Sequence, residues 1–206
     1  MLIIREMRLR CGGFTLIEMI VTVAILSILL AIAAPSFQTL LANMRLRSTA
    51  ESLMAGLQLA RTEALRRNTS VSFWMVNNLN AGCALSASST TWVVSLDNLQ
   101  GGCNAAPSLN DSPRIVQIRA GNEVVGNVTI SAINAANAAT SCATFTGFGA
   151  VSGGCTGVNN STPIAAIDVT SNVANTRALR IQVAGGGSLR LCEPAINTAG
   201  DPRRCV

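Results

Sequence analysis

The chain has no histidine, and all fifteen of its basic side chains are arginines, so lysine is absent too. Schiff-base lysines, histidine general bases and histidine metal ligands are thereby excluded. A serine nucleophile would lack its usual activating base, and the sequence reads as non-enzymatic, with no catalytic residue. Close CxxC pairs are also missing, so neither a metal site nor a cofactor is expected. Aromatic residues make up only 3% of the chain. Ala, Gly, Ser, Thr and Asn fill much of the second half, a composition that suits strands and loops better than a helical bundle.

Cysteine, by contrast, is plentiful. Of seven cysteines, Cys11 lies near the start and six follow residue 80: Cys83, Cys103, Cys142, Cys155, Cys192 and Cys205. An even six in an exported domain reads as disulfides. Connectivity does not follow from sequence alone, but the sequential pairing Cys83–Cys103, Cys142–Cys155 and Cys192–Cys205 is favoured because each pair closes a short loop containing Gly, Asn or Ser. The net charge is +5, and beyond Gly13 twelve arginines face nine acids. This mild positive bias is compatible with a polyanionic partner.

Residues 1–13 carry Arg5, Arg8 and Arg10 against Glu6 and precede an apolar run from Phe14 to Ala34. Positive charge ahead of a run of membrane length puts the N-terminus in the cytoplasm. An ordinary secretory signal is cut after its apolar core, and Ala31–Ala34 superficially offers such a site. The stretch Gly12-Gly13-Phe14-Thr15-Leu16-Ile17-Glu18, however, resembles the processing motif of type IV pilins and pseudopilins. That resemblance implies cleavage between Gly13 and Phe14 by a prepilin peptidase, followed by methylation of the new N-terminus.

Glu18 then becomes the fifth residue of the mature chain. A carboxylate within an apolar helix is costly and persists where a cation neutralises it. The resemblance implies a pair between Glu18 and the Phe14 amine of a neighbouring subunit; a glutamate snorkelling to the interface is the alternative. Thr15, Thr22 and Ser27 are weaker signals, since such hydroxyls commonly bond their own backbone. Pro35 removes a helical hydrogen bond and bends or loosens the helix at the end of the run.

Beyond Pro35, Leu46, Ala50, Leu53, Leu57, Ala60 and Ala64 recur at spacings of four and three, a helical stripe facing a core. Arg47 with Glu51 and Glu63 with Arg67 stand at i, i+4 as surface pairs. The helix is predicted to end at Arg66-Arg67-Asn68, where positive charge suits its C-terminus. Short β-favouring runs follow: 71–76, 91–96, 114–119, 123–125, 127–131, 142–147, 164–170, 177–183 and 188–192. Gly126-Asn127 and Gly185-Gly186-Gly187 are the clearest hairpin turns, and Trp74 and Trp92 read as core anchors.

The long helix, its Leu57–Ala64 segment (Leu-x-x-Ala-Arg-x-Glu-Ala), the segment Phe145-Thr-Gly-Phe-Gly-Ala-Val-Ser and the final Gly187-Ser-Leu-Arg-Leu-Cys with Asp201-Pro-Arg-Arg-Cys together resemble the GspH/FimT family of minor pilins and pseudopilins. The resemblance implies an α+β type IV pilin fold: a cleaved leader (1–13), a transmembrane and assembly helix (14–67) and a β-rich head (68–206). The implied setting is the bacterial inner membrane, single-pass with a cytoplasmic N-terminus, and then the periplasm or cell surface within a pilus. Other major and minor pilins are the implied partners. Membership of a type II secretion pseudopilus is the alternative.

FimT-like members include DNA binders that use C-terminal basic residues, commonly Gly-Arg-x-Arg. Here Ser188 replaces the first of those arginines and Arg190 keeps the second. Arg177, Arg180, Arg190, Arg203 and Arg204 are therefore the candidate contacts to double-stranded DNA. Arg177 and Arg180 have opposite strand parity and cannot share one face. Arginines on a solvated edge strand that discourage sheet-to-sheet pairing are the competing reading.

Overall fold

The computed structural model describes residues 14–99, 101–121, 127–158 and 161–205. The leader with Gly13 and Cys11, the run 123–125 and Gly126 of the proposed Gly126-Asn127 turn lie outside these residues. The chain divides into two compact units at Gln38/Thr39, so the second part of the helix belongs with the head.

Helix α1 spans Leu16–Arg67. Thr15 caps it, its Oγ1 accepting the Glu18 backbone N–H at 3.3 Å, so the Thr-x-x-Glu of the processing motif doubles as a helix start. Thr22 and Ser27 donate to the carbonyls of Met19 and Ala24, the local back-bonding expected of them. Large apolar side chains from Phe14 to Ile32 are exposed on every side of the helix. As a membrane crossing, α1 falls into Leu16–Ile32 and Ser36–Arg67 on either side of position 35. Neither segment alone is long and apolar enough, but the pair together qualifies. At the other end Asn68 adopts a left-handed φ of 50°, and the Thr69 N–H returns to the Ala64 carbonyl. That closure satisfies an orphan carbonyl where the sequence predicts the stop.

The head contains eight strands: β1 Val71–Met75, β2 Trp92–Ser95, β3 Ile115–Arg119, β4 Val128–Ile133, β5 Cys142–Phe145, β6 Ala166–Ser171, β7 Leu179–Val183 and β8 Leu189–Cys192. They form two four-stranded antiparallel sheets, ordered β3-β2-β1-β5 and β4-β6-β7-β8. The α+β architecture is the expected one. All six residues of the helical stripe are fully buried. They pack on Val71, Phe73, Met75, Val94 and Phe145 of the first sheet and on Ile167, Val169 and Ile181 of the second. Gly56 lets this happen, because a Cβ there would lie 2.7 Å from the Phe73 ring and 2.9 Å from Trp92. Trp92 also donates to Ser52 on the helix.

The first sheet is buried on both faces at β1, β2 and β5, while its edge strand β3 exposes Gln117 and Arg119. Behind it Trp74, Val93, Leu99 and Ile115 form a second core with the Cys83–Cys103 and Cys142–Cys155 disulfides. Such strands lack the alternation of apolar and exposed residues seen where one face is solvated, and Val71–Met75 is buried at all five positions, Ser72 included. Polar side chains caught in this layer are satisfied: Ser72 bonds Thr144 at 2.7 Å, and Trp74 Nε1 donates to Ser95 Oγ at 2.9 Å. The second sheet buries one face only, so β6 and β7 alternate.

Arg114 grips Asp97 through its Nε and Nη2, at 2.6 Å for the shorter contact, and ties β2 to the start of β3. The Arg114 guanidinium holds the Asp97 carboxyl at about 2. A depressed carboxylate stabilises the fold above its unfolded value near 3.9 and loses that contribution as pH falls toward 2. Asp97→Asn is accordingly expected to cost on the order of 1 kcal/mol at pH 7, limited by solvent screening of the pair. In urea unfolding the gap from wild type should close between about pH 4 and pH 2. A gap that does not change with pH would remove the ion pair as its cause.

Candidate functional site

The second sheet ends in the hairpin β7–β8, turned by Gly185-Gly186-Gly187 with Val183 opposite Leu189. In its register Ile181 and Val183 face the helix, and Arg180, Gln182 and Arg190 lie on the opposite face with Cys192, which is itself buried. The tail folds back along β8. Glu193 N–H donates to the Arg203 carbonyl at 2.7 Å, and the backbones of Glu193 and Arg204 form an isolated parallel β-bridge. The Cys192–Cys205 disulfide closes the loop. A sequence otherwise free to fray is thus tied at both its backbone and its side chains.

The five candidate arginines are not equivalent. Arg180 is opposite Asp168 in the β6–β7 register and makes a two-pronged contact with it at 2.6 and 2.8 Å. Its charge is offset within the protein, and the carboxylate raises the Arg180 pKa. Arg203 reaches Asp201 at 2.9 Å and Glu193 at 3.8 Å. The Arg203 guanidinium in turn holds the Asp201 carboxyl below its ordinary value, so that neighbour stays ionised in mild acid. Arg190 donates to the Pro202 carbonyl at 2.6 Å, a neutral acceptor, and has no acidic partner among the described residues. Among the described residues neither Arg177 nor Arg204 has an acidic partner, and both are exposed.

Arg177 precedes β7 rather than lying in it. Its N–H donates to Asn43 Oδ1 of α1 at 2.9 Å. There the helix and the sheet edge enclose a cleft of about 260 Å³ lined by Asn43, Arg47, Arg177, Leu179 and Glu193. An adjoining hollow of about 190 Å³ shares Arg47, Leu179 and Glu193 and adds Leu191 and Arg203. The sequence reading missed Arg47 and Asn43. Arg47 had a sufficient local explanation in its pair with Glu51, which forms at 2.8 Å, and no local pattern signals a contact 134 residues away.

A larger slot of about 360 Å³ lies between Val151, Ile164, Ala165 and Val183. The amide of Asn134, on its wall, is committed to Thr162 and to the N–H groups of Ala136 and Ala138. Among the described residues no group of His, Cys, Asp or Glu could hold a metal ion.

Glu18 and Phe14 are both exposed at the N-terminal end of α1. Their processing partner Gly13 lies outside the described residues.

Comparison with known families returns two matches. A model described as the prokaryotic N-terminal methylation motif matches residues 8–34, and one described as type II transport protein GspH matches residues 49–203. No curated protein matches the chain. Similar solved structures include two crystal forms of the Pseudomonas aeruginosa (strain PAO1) type IV minor pilin FimU. The P21 form is 18% identical, covering 73% of this chain and 92% of that one, with a TM-score of 0.42. The P65 form is 17% identical, covering 72% and 97%, with a TM-score of 0.41.

Proposed function

This chain belongs to the GspH family, and on that premise we propose that it is a minor pilin of a type IV pilus that also grips double-stranded DNA. The N-terminal methylation motif supports processing between Gly13 and Phe14 by a prepilin peptidase. The exposed apolar arm supports anchoring as a single-pass inner-membrane protein with a cytoplasmic N-terminus, and later packing among other major and minor pilins in the filament. Phe14 and Glu18 are the assembly residues in this reading. The family description itself favours a second reading, a pseudopilin of a type II secretion system. Neighbouring genes for secretion-channel components rather than for other minor pilins would decide for it.

The observation that carries DNA binding is the charge of Arg190 and Arg204 beside the clasped tail, which meets no acidic partner among the described residues. Guanidinium forks suit phosphate oxygens. Arg203 contributes less because Asp201 and Glu193 already attend it, and Arg180 less still. Binding of this kind is weak, indifferent to base sequence and steeply salt-dependent, because each neutralised phosphate releases counterion. The test is a titration of duplex DNA with the head from Thr39 onward. Arg190→Ala and the double change Arg203→Ala/Arg204→Ala should each weaken binding several-fold and flatten its salt dependence. Binding that is absent in the wild type, or unchanged in both variants, would overturn the DNA reading and leave the pilin reading standing.

A further inference from the structure

We infer that the cleft between α1 and the β7–β8 edge is a docking site for an acidic peptide segment, one that carries a carboxylate beside an aliphatic side chain. Arg47 and Arg177 from opposite walls, with Arg203 from the adjoining hollow, surround a floor made by Leu179 and Leu191. Among the described residues of those walls the one carboxylate is Glu193, whose side chain is only 19% exposed, and it is shared with Arg203 across 3.8 Å. Arg203 is already attended by Asp201 and Glu193, so the charge that the cleft offers a ligand is that of Arg177, with Arg47 beside it. Arg177 has no acidic partner among the described residues, and the Arg47–Glu51 pair is solvent-exposed on both sides. Water-exposed pairs of that kind are worth little, so Arg47 can exchange Glu51 for an incoming carboxylate at small cost.

The floor selects the class of ligand. Phosphodiesters offer charge but no apolar group to cover Leu179 and Leu191, and a duplex is far too wide to enter a cleft of about 260 Å³. A carboxylate flanked by a leucine-like side chain meets both requirements: the fork-shaped guanidinium binds the acid, and the aliphatic group removes the floor from water. The same surface differs from the outward-facing Arg190 and from Arg204, to which the DNA reading is assigned. That the segment comes from a neighbouring filament subunit rests on the pilin reading; the peptide chemistry does not.

The probe is a fluorescein-labelled Gly-Glu-Leu-Glu-Gly peptide, titrated by anisotropy against the full-length protein in zwitterionic detergent. Saturable binding is expected. Arg47→Gln/Arg177→Gln should weaken it at least tenfold, with no matching loss for Arg190→Gln. Glu193→Gln, which removes the opposing carboxylate, should tighten it several-fold, a gain that misfolding cannot mimic. The peptide with both glutamates changed to glutamine should bind at least tenfold more weakly. Equal binding of the two peptides, no binding of either, or no tightening in Glu193→Gln would overturn the proposal. So would a double variant that loses duplex DNA but keeps the peptide.

Discussion

Glu18→Leu is expected to insert into the membrane at least as well as the wild type and yet to disappear from sheared filaments. The two halves of that result have opposite signs for a physical reason. A carboxylate inside an apolar helix costs roughly 2.5–3.5 kcal/mol at the bilayer centre and less near its edge, so leucine relieves insertion. Assembly, in the proposed reading, depends on that same carboxylate meeting the Phe14 amine of a neighbour, and leucine leaves the amine without its anion. The cap separates the two roles. Thr15 accepts the Glu18 backbone N–H, not its side chain, so the helix start survives the substitution. Thr15→Ala, in contrast, should loosen the helix start by about 1 kcal/mol while keeping the charge. Immunoblots of the membrane and sheared fractions measure both halves. Wild-type amounts of Glu18→Leu in the filament would favour a glutamate that merely snorkels to water.

Gly187→Ala should destabilise the head by about 3 kcal/mol or more, among the larger effects available to a single methyl group. Gly187 has a φ of +81°, and an added Cβ would run into the Gly149 carbonyl, the group that accepts from Arg61 Nε of α1. The left-handed conformation alone costs an L-residue roughly 1–2 kcal/mol, and displacing a packed, hydrogen-bonded carbonyl adds to it. At this chain length the melting temperature should fall by roughly 6–12 °C. The same turn supplies its own control: Gly185 and Gly186 face open space, so Gly186→Ala should stay within about 0.5 kcal/mol of the wild type. Equal melting of the two variants would mean that the turn can repack and does not set the register of β8. That register matters because it holds Arg190 beside Pro202 and the clasped tail.

Much of this fold was written locally. The spacing of Leu46, Ala50, Leu53, Leu57, Ala60 and Ala64 marked the buried face of α1, because a helix brings residues three and four apart onto one side whatever lies opposite. Apart from 123–125, which lies outside the described residues, the strand runs matched the observed strands to within a residue or two, with Leu179–Val183 starting two residues after the run from Arg177. The triple-glycine turn joined the two strands it was expected to join. The disulfides link each cysteine to its next in the chain, and the three loops that were favoured for being short are the ones closed. What escaped was the second core. Nothing in Val71–Met75 says whether both of its faces are covered by the same layer or by different ones.

The site divides along the same line. Local chemistry sufficed to nominate Gly13, Phe14 and Glu18, because a processing motif and a lone acid in an apolar helix are properties of adjacent residues. It also sufficed to find the arginines between Arg177 and Arg204. Which of those charges remain available was settled only by the tertiary structure, since an ion pair depends on distance in space. Asp168 neutralises Arg180 across a strand register, Asp201 and Glu193 attend Arg203, and Arg177, held by Asn43 of the helix only through its backbone N–H, keeps its side-chain charge. Neither the sheet pairing nor the approach of β7 to α1 has a counterpart in short-range sequence. An electrostatic site assembled from residues more than a hundred positions apart exists only once the chain has folded.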